Sequence, residues 1–409
     1  MKTTIFVPDA HAHACIAAIR SLGRAGYNVH AGSSSINALG LKSSFANQSV
    51  IYPPFYDPNF ITWMKNYVAK YDIKMIVPSN GVLRALLPAF SDFKYLLPVT
   101  SEKEVLKTCF SKAEVVKKFM LSDPSLGLTT NHPSSSVIDL SSKVDSCLLP
   151  KSKLGFYIKA EQLRPLGHPS SLSFAYAENS LVALDILKKM SVDWETALIQ
   201  EACTGIQVGI SVLIDNGKAL AVSCVRDCYP RPHSKGTMSL RESCWYPEIA
   251  NDAIKRLSFL NWKGCAMGEY RFDEQKGIFN LIEINFRYWK YLHLDLWAGM
   301  DFPRMQAEWF LDGKTQFENE PRVGVICRDT WPGEVAHVVN ELRNKETGIF
   351  AKIITIASFF GKFFNPRIHQ DFLFPGDRML YWVNFYEYLI SDSKRLIFKI
   401  KLKISNLTT

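Results

Sequence analysis

The chain has 409 residues with 47% hydrophobic and 21% charged content, the balance of a globular protein long enough for two or three compact units. Its net charge of +9 is weighted toward one end, where Lys394, Arg395, Lys399, Lys401 and Lys403 alternate with apolar residues. There is no nucleic-acid reader motif, no run of ~18 apolar residues and no secretory leader, and the nine scattered cysteines show no paired zinc spacing. Nucleic-acid binding, a transmembrane helix and a disulfide scaffold are therefore not expected. Reduced thiols in a cytoplasmic protein are.

From the N-terminus, Ile5 to Pro8 reads as a buried strand, Cys15 to Ala25 as a helix ending near Gly26, and Tyr27 to Ala31 as the next strand. That succession is the start of a doubly wound α/β domain, with Asp72 to Asn80 as a later strand and loop. His11 lies just after the first strand, where open α/β sheets bind ligands, and Ser79 and Asn80 fall in the equivalent loop. His11, His13 and Cys15 have a spacing that suits a metal only on a strand, and they occupy a strand-to-helix connection. A linking helix starts at Lys112, with Ser101 or Ser111 as cap, and Asp123 to Ser136 reads as a loop. Gly155 to Lys159 is a strand ending in a lysine, Asp215-Asn216-Gly217 is a hairpin turn, and Pro247 to Leu260 is a helix. Beyond Pro321 the chain is apolar, aromatic and basic, with little to fix its elements.

The densest chemistry lies in Gly268-Glu269-Tyr270-Arg271 and Leu281-Ile282-Glu283-Ile284-Asn285-Phe286-Arg287, two β-prone runs joined across Asp273 to Gly277. A turn centred near Gln275 sets Glu269 opposite Leu281. Alternation then puts Glu269, Glu283 and Asn285 on one face, with Arg287 in the same parity. Two carboxylates and an amide oxygen are hard ligands suited to Mg²⁺ held partly through phosphates, and Arg287 could reach a phosphate oxygen.

The run from Ala197 to Pro303 resembles the ATP-grasp superfamily, in the branch of carboxylate–amine ligases related to carbamoyl-phosphate synthase. The pieces come in order: Leu198 to Gly205, Val208 to Gly217, Lys235 to Ser243 as the Gly-Ser loop, Asn261 to Arg271, Glu283 to Trp289, and Ala298 to Pro303. The N-terminal segment from Ala18 to Tyr27 is similar to the preATP-grasp domain of that branch. The resemblance implies a doubly wound preATP-grasp domain (residues 1–105), a linking helix and small subdomain (106–192), a large subdomain with the metal site (193–320), and a C-terminal extension (321–409). It implies ATP with Mg²⁺ or Mn²⁺ as cofactors, metal ligands Glu269, Glu283 and Asn285, and nucleotide contacts from Lys112, Lys159, Gln200, Glu201, Ala202 and Cys203. Arg287, Arg241 and Arg226 are the cations for the reacting groups, and His11, Ser79 and Asn80 the substrate-side residues. The implied reaction joins a small-molecule carboxylate to an amine through an acyl phosphate, releasing ADP and phosphate. The alternatives are bicarbonate activation and a non-catalytic ATP-binding scaffold. Phe286 stands where the family usually has Pro, Asn80 where an acid is common, and Ala160 to Ser171 lacks the clustered glycines of the phosphate-covering loop. The basic tail suits an anionic membrane surface or an acidic partner, or packs as a solvated terminal element.

Overall fold

A computed structural model describes residues 2–128, 130–142, 144–164, 172–229, 238–318 and 320–390. The chain forms two compact units, each assembled from separate stretches. One comprises residues 1–98, 237–244 and 288–409; the other comprises 99–236 and 245–287.

The first unit opens with a parallel sheet whose spatial order is Gln48–Ile51, Asn28–Ser33, Thr4–Val7 and Ile73–Ile76. Ile5, Phe6 and Val7 are fully buried, as expected of a central strand covered on both faces. The crossover helices are His13–Arg24 and Phe60–Tyr71. Gly26, at φ +94°, turns the chain after the first of them, a conformation that a Cβ would penalise. Residues 240–390 of this unit add Leu240–Cys244, paired antiparallel with Ile326–Arg328, which pairs parallel with Ile368–Gln370. Helices Leu292–Ala298, Phe302–Asp312, Val335–Arg343 and Ile349–Gly361 complete it, with residues 379–390 also helical.

Arg20 joins these stretches from inside the first crossover helix. It is fully buried, its Nε donates to Asp377 Oδ2 at 2.8 Å, and its Nη1 donates to the Asp371 carbonyl at 2.7 Å. A buried guanidinium is tolerated only when its donors are filled in this way.

The second unit holds two antiparallel arrangements. The smaller is ordered Ser135–Asp139, Trp194–Glu201, Phe156–Leu163, Phe174–Ala177, with helix Ser180–Met190 over a core of Ile138, Ile158, Leu187 and Ile199. The larger runs Ile278–Asn285, Gly264–Asp273, Ile206–Asp215, Lys218–Asp227. Asn216 and Gly217 both have positive φ (+47° and +77°), the backbone of the two-residue hairpin turn expected there. Helix Lys112–Leu126 starts at Ser111, whose hydroxyl accepts the Glu114 N–H, and ends at Gly127 with φ +58°. The helix therefore runs into the Pro- and Ser-rich stretch that composition alone assigned to a loop from Asp123.

Candidate active site

The site is built on the hairpin of Gly264–Asp273 and Ile278–Asn285. Its register differs from the expected one. Asp273 pairs with Ile278 and Tyr270 with Leu281, and then a bulge intervenes: Glu269 pairs with Glu283, not with Leu281. The turn lies half a residue later than Gln275, and Ile282 is the extra residue of the bulge. An inserted residue of this kind redirects side chains. Here it sets two carboxylates directly across from each other on one face of the sheet. The opposite face is anchored through Tyr270, whose hydroxyl donates to Asp252 Oδ2 at 2.5 Å, with Asp252 also accepting from Arg256 at 2.9 Å.

Glu283 is the hub. Its Oε2 accepts from Lys112 Nζ at 2.7 Å and from Lys159 Nζ at 2.9 Å, and its Oε1 accepts from Asn285 Nδ2 at 2.9 Å. Asn285 Oδ1 in turn accepts from Arg287 Nη2 at 3.3 Å. Lys159 also donates to Gln200 Oε1 at 3.1 Å, and Gln200 Nε2 donates to Ser135 Oγ at 3.3 Å. Lys159 comes from a middle strand of the smaller sheet and is buried, so its charge depends on these two acceptors. Lys112 is the first residue of its helix. Glu161, which sequence reasoning passed over, holds that helix end: its Oε2 accepts from Ser111 Oγ at 3.2 Å and from the Ala113 N–H at 3.3 Å. A carboxylate at a helix N-terminus is favoured by the orphan N–H groups there.

The two hairpin carboxylates are driven apart electrostatically. Burial disfavours ionising both. For Glu269, burial and then the adjacent Glu283 charge push the carboxyl up to about 7. For Glu283, burial is overcome by Lys159 and Lys112, which hold it far below the usual carboxylate range. Two carboxylates face to face, one of them kept from ionising by burial and by the charge of the other, are a donor set that a divalent cation would complete. Glu269, Glu283 and Asn285 thus fit an oxygen-liganded ion such as Mg²⁺.

A cleft of about 450 Å³ adjoins these residues, lined among others by Lys159, Gln200, Glu201, Cys203, Glu269 and Glu283. Tyr157 and Phe174, whose rings stack 5.9 Å apart at 17°, add an aromatic wall. Arg271 lines the cleft as well and donates from Nη1 to the Gly205 carbonyl at 3.2 Å. Gly205 has φ +109°, and a Cβ there would sit 2.2 Å from the Phe272 carbonyl oxygen, so only glycine lets the strand link pass beneath Arg271. Neither Tyr157, Phe174 nor Arg271 was singled out as a contact from sequence, although Arg271 lies in the strand motif.

The remaining expected residues are placed as follows. The Ala202 N–H donates to the Gly155 carbonyl at 2.9 Å, which leaves its carbonyl as the group available to a ligand edge. Burial, then the Glu201 charge, pushes the Cys203 thiol up to about 11, the opposite of an activated nucleophile. Arg226 sits half-buried on strand Lys218–Asp227. Arg241 belongs to the other unit, is fully buried and is ion-paired there with Asp371. In that same unit Ser79 caps the helix at Asn80, accepting the Val82 N–H, and donates to Asp9 Oδ2 at 2.5 Å. Asn80, the next residue, and His11 are exposed, and Asp9, with φ +54° at the end of the first strand, accepts from the Tyr52 hydroxyl at 3.0 Å. His13 Nδ1 lies 3.8 Å from Asp371 Oδ2. Residues 165–171 of the glycine-poor loop, residues 235–237 of the Gly-Ser loop and the basic tail lie outside the described residues.

No family model and no curated protein matches this chain by sequence. Solved structures do match by fold. An L-amino acid ligase from Bacillus licheniformis is 15% identical with a TM-score of 0.56, covering 79% of this chain and 77% of its own. An N5-carboxyaminoimidazole ribonucleotide synthetase, solved with ADP, is 11% identical with a TM-score of 0.62, covering 88% and 96%. A biotin carboxylase from Campylobacter jejuni, solved with an ATP compound, is 14% identical with a TM-score of 0.57, covering 80% and 74%. At these identities the likeness establishes the fold, and that fold is the ATP-grasp architecture which the motif series resembles.

Proposed function

We propose that this chain is an ATP-dependent ligase that joins a small-molecule carboxylate to an amine through an acyl phosphate, releasing ADP and phosphate. The observation that carries the reading is that Lys112, Lys159, Glu269 and Glu283 line one cleft large enough for a nucleotide, with Asn285 hydrogen-bonded to Glu283 beside it. The same-fold structures named as an L-amino acid ligase and as a synthetase with ADP support it.

The chemistry follows from the charges. A carboxylate resists attack by an amine until phosphorylation gives it a leaving group. Phosphoryl transfer needs little covalent help from the protein; it needs charge neutralisation, alignment and exclusion of water. Lys159 and Lys112 supply two ammonium groups that Glu283 holds at hydrogen-bonding distance until an anionic ligand competes for them. Gln200, by accepting from Lys159, keeps that ammonium oriented into the cleft. Arg287 and Arg271 are further cations on the same unit, and Arg226 is a third candidate. Glu201 and the Ala202 carbonyl offer acceptors for a nucleoside, while Tyr157 and Phe174 supply an apolar face for a base. When bound, Mg²⁺ or Mn²⁺ would be held by Glu269, Glu283 and Asn285 and would neutralise phosphate charge. The acid and amine remain to be named by assay; His11, Ser79 and Asn80 are the candidates for contacting them.

Among the described residues no cysteine is in a disulfide, and no helix is long and apolar enough to cross a membrane. A cytoplasmic enzyme, with its basic tail available to an anionic surface or acidic partner, is our working placement. The deciding experiment is ADP release from Mg-ATP with pooled carboxylic acids and amines, with Glu283→Gln as control. Release that requires both an acid and an amine supports the ligase. ATP hydrolysis driven by bicarbonate alone would replace it with a carboxylase-type activation, and nucleotide binding without turnover in any pool would replace it with a binding scaffold.

A further inference from the structure

The helix Ile349–Gly361 is mounted inside out. Ile349, Phe350, Ile353, Ile354, Ile356 and Phe360 are exposed, Phe350 by 80% and Ile354 by 67%. At about 100° per residue these six span an arc of roughly 160°. Phe359 lies on the other side of the helix and is its one buried side chain. The helical stretch 379–390 repeats the arrangement: Met379, Trp382, Tyr386 and Leu389 are exposed at spacings of three and four residues, which places them along one stripe. Both helices are pinned from behind by Trp331, whose ring centroid is 6.2 Å from that of Phe359 and 4.7 Å from that of Phe385. The apolar side chains therefore point outward because the inward places are already filled.

An apolar surface of this extent marks a docking face, and its charge identifies the occupant. The segment 349–361 holds Lys352 and no acidic residue; Lys345 and Glu346 precede it, and Lys362 after it is ion-paired with the buried Glu334. The described residues end at 390, and residues 391–409 carry five Lys or Arg against the single acid Asp392. Exposed Phe and Ile beside Lys352 on one helix, and exposed Trp and Tyr on a second, both too short to span a bilayer, are the composition of elements that lie in a membrane interface, with the basic residues 394–403 to draw them to anionic headgroups. A broad arc of side chains, in place of a narrow seam, also suits a fluid phase better than a rigid partner groove.

We propose that the outward faces of Ile349–Gly361 and residues 379–390 bind an anionic lipid surface, with Phe350 and Ile354 inserting at its boundary. The test is co-sedimentation of the full chain with phosphatidylcholine vesicles containing phosphatidylglycerol, alongside the F350E/I354E variant and a chain lacking residues 391–409. Both substituted positions are exposed and outside the proposed active site, so the thermal unfolding profile and ATP turnover are expected to be unchanged. The full chain is expected to bind, and F350E/I354E to bind at least tenfold more weakly. Equal binding by F350E/I354E, or binding abolished by the truncation alone, would assign the membrane contact to the tail and overturn the proposal. So would failure of the full chain to bind. A dimer in sedimentation velocity that the double variant dissolves would assign the face to a second copy of the chain and would also overturn it.

Discussion

Glu269→Gln is the sharpest probe of the carboxylate pair, because it removes a charge while keeping the shape. Burial and the neighbouring Glu283 raise the Glu269 carboxyl from 4.5 to about 7. Below pH 4.5 the group is protonated in both folded and unfolded chains and costs nothing. Between 4.5 and 7 the unfolded chain releases a proton that the folded chain keeps, so stability falls as pH rises through that window. The difference of about 2.5 pH units, at 1.36 kcal/mol each, amounts to roughly 3 kcal/mol at pH 8. Glutamine carries no such cost. In EDTA, the variant should exceed the parent chain in stability by about 3 kcal/mol at pH 8 and by less than about 1 kcal/mol at pH 5. Urea denaturation at the two pH values measures this directly. Saturating Mg²⁺ should reverse the order, because the cation stabilises the parent chain by mass action and has one anionic ligand fewer in the variant. A gain that is the same at pH 5 and pH 8, or a loss at pH 8, would show that the two carboxylates do not repel across the bulge.

Mg²⁺ affinity of the parent chain should fall about tenfold per pH unit below 7, since binding must displace the Glu269 proton; titration calorimetry in buffers of different ionisation enthalpy would detect its release. Glu283→Gln should lower Mg-dependent ADP release by at least about a hundredfold and move that pH dependence to lower pH, because burial still raises Glu269 but the Glu283 charge no longer does. Lys159→Ala should weaken ATP binding at least about tenfold while leaving Gln200 without its donor; equal nucleotide affinity in both proteins would make the lysine structural. Asp371→Ala should destabilise the first unit by about 3–5 kcal/mol, because it strands the buried Arg241 guanidinium, and a shift of less than about 1 kcal/mol in its unfolding would refute the pairing.

What the sequence disclosed, and what it withheld, follows from the range of the forces involved. Alternation is local, so the common face of Glu269, Glu283 and Asn285 could be read from spacing. The bulge at Ile282 could not, because apolar Ile282 satisfies the strand pattern as well as its neighbours do; the partner of Glu269 therefore shifted from Leu281 to Glu283. Lys159 was legible from the ordered motif series, although its strand runs on to Leu163 and does not end at the lysine, whereas Glu161, two residues on, acts on a helix end about 50 residues away in sequence, and that link is purely tertiary. Arg241 reads as a free cation in its motif, yet Asp371, 130 residues later, neutralises it. The stretch beyond Pro321 was the least legible, because its apolar, aromatic and basic composition does not fix its elements. Burial is the cheapest fate of apolar surface such as Ile353-Ile354-Thr355-Ile356-Ala357. Only the packing of Trp331 against Phe359 and Phe385 shows that the inward positions are taken and that this run faces out. Retaining so much exposed apolar surface lowers solubility and gives the fold nothing. It fits a second environment for this face, distinct from water, which makes F350E/I354E a test of where the protein resides and not of how it folds.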